Sequence, residues 1–237
     1  MIADLLFPST CYCIALVFTE RSGSPSASVL KEHPMPTLLR IDASIRTEGS
    51  RSRALADLVE AEWLDGHPGG TVRRRDLVAD AIPADAWHLA VTAGWTPEEQ
   101  RSDEQRAAVA LAAELVDELA DADAILVAAP LYNFGPSLHV KTWMDTAIAD
   151  PRLAPGAEPL LAGKPAVLAT VRGGGYAEGT PRHGWDHSTP FLRRILGDVW
   201  GLDLAVVEEE LTLAEVNPAM AGLLDLANAG RAAAEQV

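Results

Sequence analysis

An α/β fold is predicted: a doubly wound, five-stranded parallel sheet with helices on both faces. Three observations carry the expectation: short β-rich runs alternate with longer helical patterns, the alternation covers one stretch with no internal repeat, and Gly-, Pro- and Ser-rich loops follow several of the runs. Such an alternation calls for right-handed crossovers and a sheet buried on both sides.

The first expected strand spans residues 38–41, where Leu38, Leu39 and Ile41 surround Arg40. A helix is expected over 51–64 behind a hydroxyl-rich loop, then a strand over 72–74. The stretch from Asp76 to Pro97 is long for a connection in a compact α/β unit. Next comes a helix over 97–119, in which Val109, Ala112, Val116 and Leu119 keep the three-to-four spacing of one buried face. Strands are expected over 124–128, 166–170 and 204–207, with helices over 137–149, over 189–200 and from Pro218 to the C-terminus.

The folded unit is expected to be a single domain, residues 35–237, beginning at Met35. Residues 1–34 read as a disordered extension. Their apolar run from Cys11 to Phe18 follows a segment with Asp4 and neither Lys nor Arg, the wrong charge for a signal peptide, and a polar Ser/Gly/Pro stretch comes after it. No apolar run reaches the roughly 18–20 residues that span a bilayer, so no membrane partner is expected. Cys11 and Cys13 fit neither a disulfide framework nor a zinc site, which suits a cytoplasmic protein. The net charge of −15 argues against nucleic acid. The acids concentrate in residues 98–123 and 203–237, as on solvated helix faces.

Open α/β sheets bind ligands at the carboxyl ends of their strands, which draws attention to three loops. After the first strand, Ser44, Ser50, Arg51 and Ser52 lead into a helix N-terminus, a ready site for one terminal phosphate such as that of FMN. Neither the GxxxxGK[ST] nor the GxGxxG pattern is present. The plain alternative is that Ser50 or Ser52 only caps the helix. After the third strand, Leu131, Tyr132, Asn133 and Phe134 lie between Pro130 and Gly135-Pro136, a stiff loop able to wall a flat heteroaromatic ring. After the fourth, Val171 and Arg172 precede Gly173, Gly174 and Gly175, where backbone can pass close to a ligand edge, or where a loop is simply flexible. His183 and His187 have no companion acids that would complete a metal site, and no metal is expected.

Taken together, these residues resemble the FMN-dependent NADH-azoreductase and quinone reductase family, which has the flavodoxin-like fold. The most specific element runs from Ala128 through Pro130, Tyr132, Asn133 and Phe134 to Lys141, supported by the Ser44 and Ser50–Ser52 loop, by Arg172 to Gly174, and by the stretch from Trp185 to Leu192. The resemblance implies a homodimer with one FMN per subunit, Ser44 and Ser50 to Ser52 on its phosphate, Leu131 to Phe134 along the ring, and Arg172, Gly173 and Gly174 over its polar edge. It also implies NADH or NADPH as electron donor, with quinones and azo compounds as acceptors in ping-pong turnover. Val171 stands where family members often have serine, and residues 150–159 lack the aromatics of the family's acceptor pocket. Trp95, Phe134, Tyr176 and His187 are the candidates for that pocket, with the 76–97 segment either reaching over the partner's flavin or forming a surface excursion. Trp63, Trp143 and Trp200 are expected in the core or at an interface. A flavodoxin-like electron carrier, or a hydrolase if no flavin is bound, are the alternatives.

Overall fold

A computed structural model describes residues 35–154 and 156–235. The expected disordered extension, with Cys11 and Cys13, lies outside them. Five strands, β1 (Thr37–Asp42), β2 (Thr71–Asp76), β3 (Ala124–Ala128), β4 (Pro165–Val171) and β5 (Asp203–Glu209), form one parallel sheet in the order β2-β1-β3-β4-β5. The helices are α1 (Arg51–Gly66), α2 (Ala86–Ala93), α3 (Asp103–Asp121), α4 (Leu138–Ile148), α5 (Thr189–Arg193) and α6 (Leu224–Glu235).

Alternate residues along the strands serve two cores. Leu38, Leu126, Val167 and Val207 meet Leu55, Val59 and Trp63 of α1 together with Ala234 of α6. Leu39, Ile41, Ile125, Val127 and Leu168 meet Leu115, Leu119, Trp143, Leu192 and Trp200 on the other face. Every residue of β3 is buried because helices cover both sides. By contrast β2, with its run Arg73-Arg74-Arg75, is an edge whose cations discourage further pairing. Trp63, Trp143 and Trp200 are all core residues, the last two edge to face at 5.5 Å.

The helices differ from expectation in four places. Helix α3 begins at Asp103, because Ser102 and Gln105 form a capping box there, and Pro97 instead opens a single 3-10 turn, Glu98–Gln100. The stretch from Asp76 to Pro97 is not all connection: its small residues Ala86, Ala90 and Ala93 are buried on α2, which packs on α3 and puts Trp87 in a helix. Helix α5 widens into a π-helical turn over Arg194–Val199, and the C-terminal helix is preceded by a 3-10 segment, Pro218–Leu223.

Candidate active site

The chain leaves β1 toward β2 on one side and later returns to β3 on the other, so strand order reverses between β1 and β3. The loops after β1, β3 and β4 meet at this end. After β1, Ser44 is 2% exposed and Ser52 fully buried. Ser50 caps α1, accepting from the Arg53 N–H at 3.4 Å, and its hydroxyl lies 3.3 Å from that of Ser52. The N–H groups of Arg51 and Ser52 open the helix with no acceptor among the described residues. Three hydroxyls and unpaired helix N–H groups thus share one end of α1, in a molecule otherwise strongly acidic.

Arg53, which sequence reasoning passed over, holds this loop in shape. It donates from Nη2 to the Ser44 carbonyl at 3.1 Å and from Nε to the Arg46 carbonyl at 3.2 Å, and it pairs with Asp76 at 2.8 Å and Asp42 at 3.6 Å. Below it, Arg40 on β1 is 4% exposed and bonded to Asp42, Asp57 and Glu60. Burial opposes its charge, but the hydrogen bonds to these acids hold its pKa above the ordinary arginine value. Asp76 is likewise below the usual carboxylate range: burial pulls it up, and the Arg53 hydrogen bond with the N–H groups of Val78 and Ala79 more than offsets this. The Arg51 guanidinium turns away from the loop to Glu209 at the end of β5, 2.7 Å from Nη2.

The loop after β3 is pinned to β4 by Ala129 N–H on the Ala169 carbonyl at 3.0 Å and Leu131 N–H on the Val171 carbonyl at 2.9 Å. Tyr132 and Gly135 exchange backbone hydrogen bonds around Asn133 and Phe134, whose φ values are 48° and 68°. Asn tolerates this left-handed region; for a bulky Phe it is a strained conformation held by its surroundings. Here the holders are the His187 N–H, 2.9 Å from the Phe134 carbonyl, and Trp185, edge-on to the Phe134 ring at 5.7 Å. Tyr132 ties this turn to the first loop, its hydroxyl 3.2 Å from Ser44 Oγ and accepting the Ile45 N–H at 3.3 Å.

At the end of β4, Val171 is buried and contributes its carbonyl rather than a side-chain hydrogen bond. The buried Arg172 guanidinium is enclosed by Asp186, Glu208 and Glu210. Gly173 lies under Leu213, whose Cδ1 would be 2.7 Å from an added Cβ. The N–H groups of Gly173 and Gly174 have no acceptor among the described residues. The loops therefore gather Ser44, Ser50, Ser52, Tyr132, Asn133, Phe134, Val171, Arg172, Gly173 and Gly174 at one end of the sheet, with Leu131 half-buried between them. Tyr176 follows the glycines, under Arg182, and His187 reaches the turn through its backbone. Trp95, at 80% exposure, makes no ring contact with these loops. His183 and His187 are exposed, and no three His, Cys, Asp or Glu side chains among the described residues are grouped to hold a metal.

A family model described as "Flavodoxin-like fold" matches residues 36–207. An FMN-dependent NADH:quinone oxidoreductase of a Parafrankia species is 39% identical over 204 residues, spanning 85% of this chain and 96% of that protein. This chain belongs to the FMN-dependent NADH:quinone oxidoreductase family. A second oxidoreductase of this family, from Frankia alni, is 41% identical over 203 residues, covering 85% of this chain and 96% of its own length. The crystal structure of an azoreductase from Bacillus anthracis aligns with a TM-score of 0.69 at 22% identity, over 85% of this chain and 95% of that one, a likeness of fold. The site chemistry suits the family's cofactor: buried hydroxyls and open helix N–H groups for a phosphate, and the unpaired N–H groups of Gly173 and Gly174 for a polar ring edge.

Proposed function

We propose that this protein is an FMN-dependent NAD(P)H oxidoreductase that reduces quinones by two electrons and cleaves aromatic azo compounds, with donor and acceptor using one site in turn. Bound FMN would supply the hydride chemistry. The chain's own task is to bind, orient and exclude water. Ser44, Ser50 and Ser52 with the start of α1 would take the phosphate, Leu131, Tyr132, Asn133 and Phe134 would line the ring, and the glycine N–H groups after Val171 and Arg172 would meet its polar edge. One observation carries the reading: the buried Ser44 and the Ile45 N–H that follows it are joined through the Tyr132 hydroxyl to the strained Asn133–Phe134 turn, which supports a phosphate loop and an aromatic wall that form one unit.

The acceptor side is formed by Phe134, Tyr176 and His187, with Trp95 from beyond α2 of a second subunit. Exposed Ile45, Phe134 and Trp185 on loops at this end, with Leu138 at the start of α4, support a homodimer. No helix among the described residues is long and apolar enough to cross a membrane; a cytoplasmic setting would supply the nicotinamide donor. The test is direct. Purified protein should carry or take up FMN, as read from its visible absorption, and oxidise NADH only when a quinone is added, with parallel double-reciprocal lines. A colourless protein that fails to bind FMN overturns the reading.

A further inference from the structure

Two loops that flank the proposed acceptor side converge on one buried cation. Arg172 Nη1 lies 3.1 Å from Asp186 Oδ2 and 3.3 Å from Glu210 Oε1, while Nη2 bonds Glu208. Each acid then holds backbone. The Asp186 carboxylate accepts from the Ser188 N–H at 2.8 Å, the Thr189 N–H at 2.9 Å and the Thr189 hydroxyl at 2.7 Å, which sets the start of α5. Between these bonds sits His187, whose N–H supports the strained Phe134 carbonyl. Glu210 accepts from the Tyr176 N–H at 3.0 Å and the Ala177 N–H at 3.3 Å, so it sets the loop after the glycines.

We infer that Asp186 and Glu210 are positioning residues, coupled through Arg172, which hold the Phe134–His187 wall and the Tyr176 loop in one geometry on the acceptor side. Neither acid is assigned to substrate; each works through backbone that it anchors. A buried guanidinium shared by acids from different segments couples them, because moving one carboxylate changes the field and hydrogen bonding at the others. The consequence for function rests on the proposed acceptor side; the coupling itself does not.

The experiment uses the full chain with Asp186→Ala, Glu210→Ala and Glu210→Gln. Amide hydrogen exchange is followed in flavin-free protein, and the Michaelis constant for a naphthoquinone and the FMN dissociation constant in loaded protein. Glu210→Ala should speed exchange at Tyr176 and Ala177 about tenfold, and Glu210→Gln, which keeps an acceptor oxygen, should recover part of the protection. The decisive result is Asp186→Ala speeding exchange at Tyr176 and Ala177, which it does not touch, by severalfold while the amides of β3 stay protected. In loaded protein the quinone Michaelis constant should rise several-fold more than the FMN dissociation constant. Acceleration spread evenly through β3, or none at Tyr176 in Asp186→Ala, overturns the coupling. An unchanged Michaelis constant with released amides overturns the positioning role. Should wild-type protein bind no FMN, the functional reading falls while the exchange result still decides the coupling.

Discussion

Replacing Arg53 with alanine removes two hydrogen bonds from a charged donor to the carbonyls that shape the loop proposed to take the phosphate, at 3.1 and 3.2 Å. Such bonds contribute about 1.5–3 kcal/mol each, and water recovers part of the loss at a half-exposed loop. A net loss of about 2 kcal/mol in the ordered loop corresponds to roughly thirty-fold weaker FMN binding. Lysine at this position should recover little, since one ammonium cannot span two carbonyls and Asp76 as the guanidinium fork does. Arg51→Ala is the control: its cation is already committed to Glu209 at 2.7 Å, which keeps Arg231 as a second partner, so FMN affinity should fall by less than about threefold. Titrating FMN into flavin-free protein by fluorescence measures both constants. If Arg53→Ala binds FMN within twofold of wild type, or Arg51→Ala is weakened as much as Arg53→Ala, the assignment of loop-holding to Arg53 is wrong.

Other consequences follow from the same geometry. Arg40→Met takes the nearest cation from the buried Asp42, which keeps Arg53 at 3.6 Å, and leaves the mostly buried Glu60 with Arg74; breaking a buried pair outright costs about 3–5 kcal/mol and the remaining cations offset part of this, so the melting temperature should drop by about 5 °C, and a drop of under 2 °C would refute the network's role. Gly173→Ala sets a Cβ 2.7 Å from Cδ1 of Leu213, the far end of an exposed side chain that can turn aside, so it should cost less than the roughly 1–3 kcal/mol of an overpacked core, and a thermal melt showing a larger loss would mean that Leu213 is fixed in place. Asp76 and Asp150, the latter held down chiefly by hydrogen bonds from Arg152 against burial, have lowered pKa values in the fold. Their contribution is therefore complete above the unfolded carboxylate pKa of about 3.9 and is lost as pH falls through the lower folded values. Urea unfolding should show it flat from pH 5 to 7 and declining below about pH 4, less steeply in Arg53→Ala. Trp95→Ala should raise the Michaelis constant for a quinone and leave FMN bound; unchanged kinetics would remove Trp95 from the acceptor side.

Much of the site was legible because it is local. Ser50 as a cap, the constrained turn at Asn133–Phe134 and the glycines after Arg172 all announce themselves within a few residues and sit at strand ends. What stayed hidden was long-range charge. Arg40 stood in the sequence as one cation inside an apolar run, and nothing nearby pointed to Asp57 and Glu60 on α1. Arg51 and Arg53 are two residues apart and look equivalent, yet helix geometry sends one toward β5 and the other back over the loop. Likewise the acidic run Glu208 to Glu210 read as a solvated surface, although strand alternation delivers Glu209 to Arg51 and Arg231 on one face and Glu208 and Glu210 to Arg172 on the other.

The class of fold and the number of strands were already legible in the amino-acid sequence, as was the end of the sheet at which the candidate loops gather. Those follow from periodicity and from turn residues, which act over a few positions. The tertiary structure alone shows which arginine reaches back over the loop after β1 and which acids surround Arg172. Such choices depend on distances between segments far apart in the chain. An ion pair such as Arg51 with Glu209, 158 residues apart, leaves no local pattern to read.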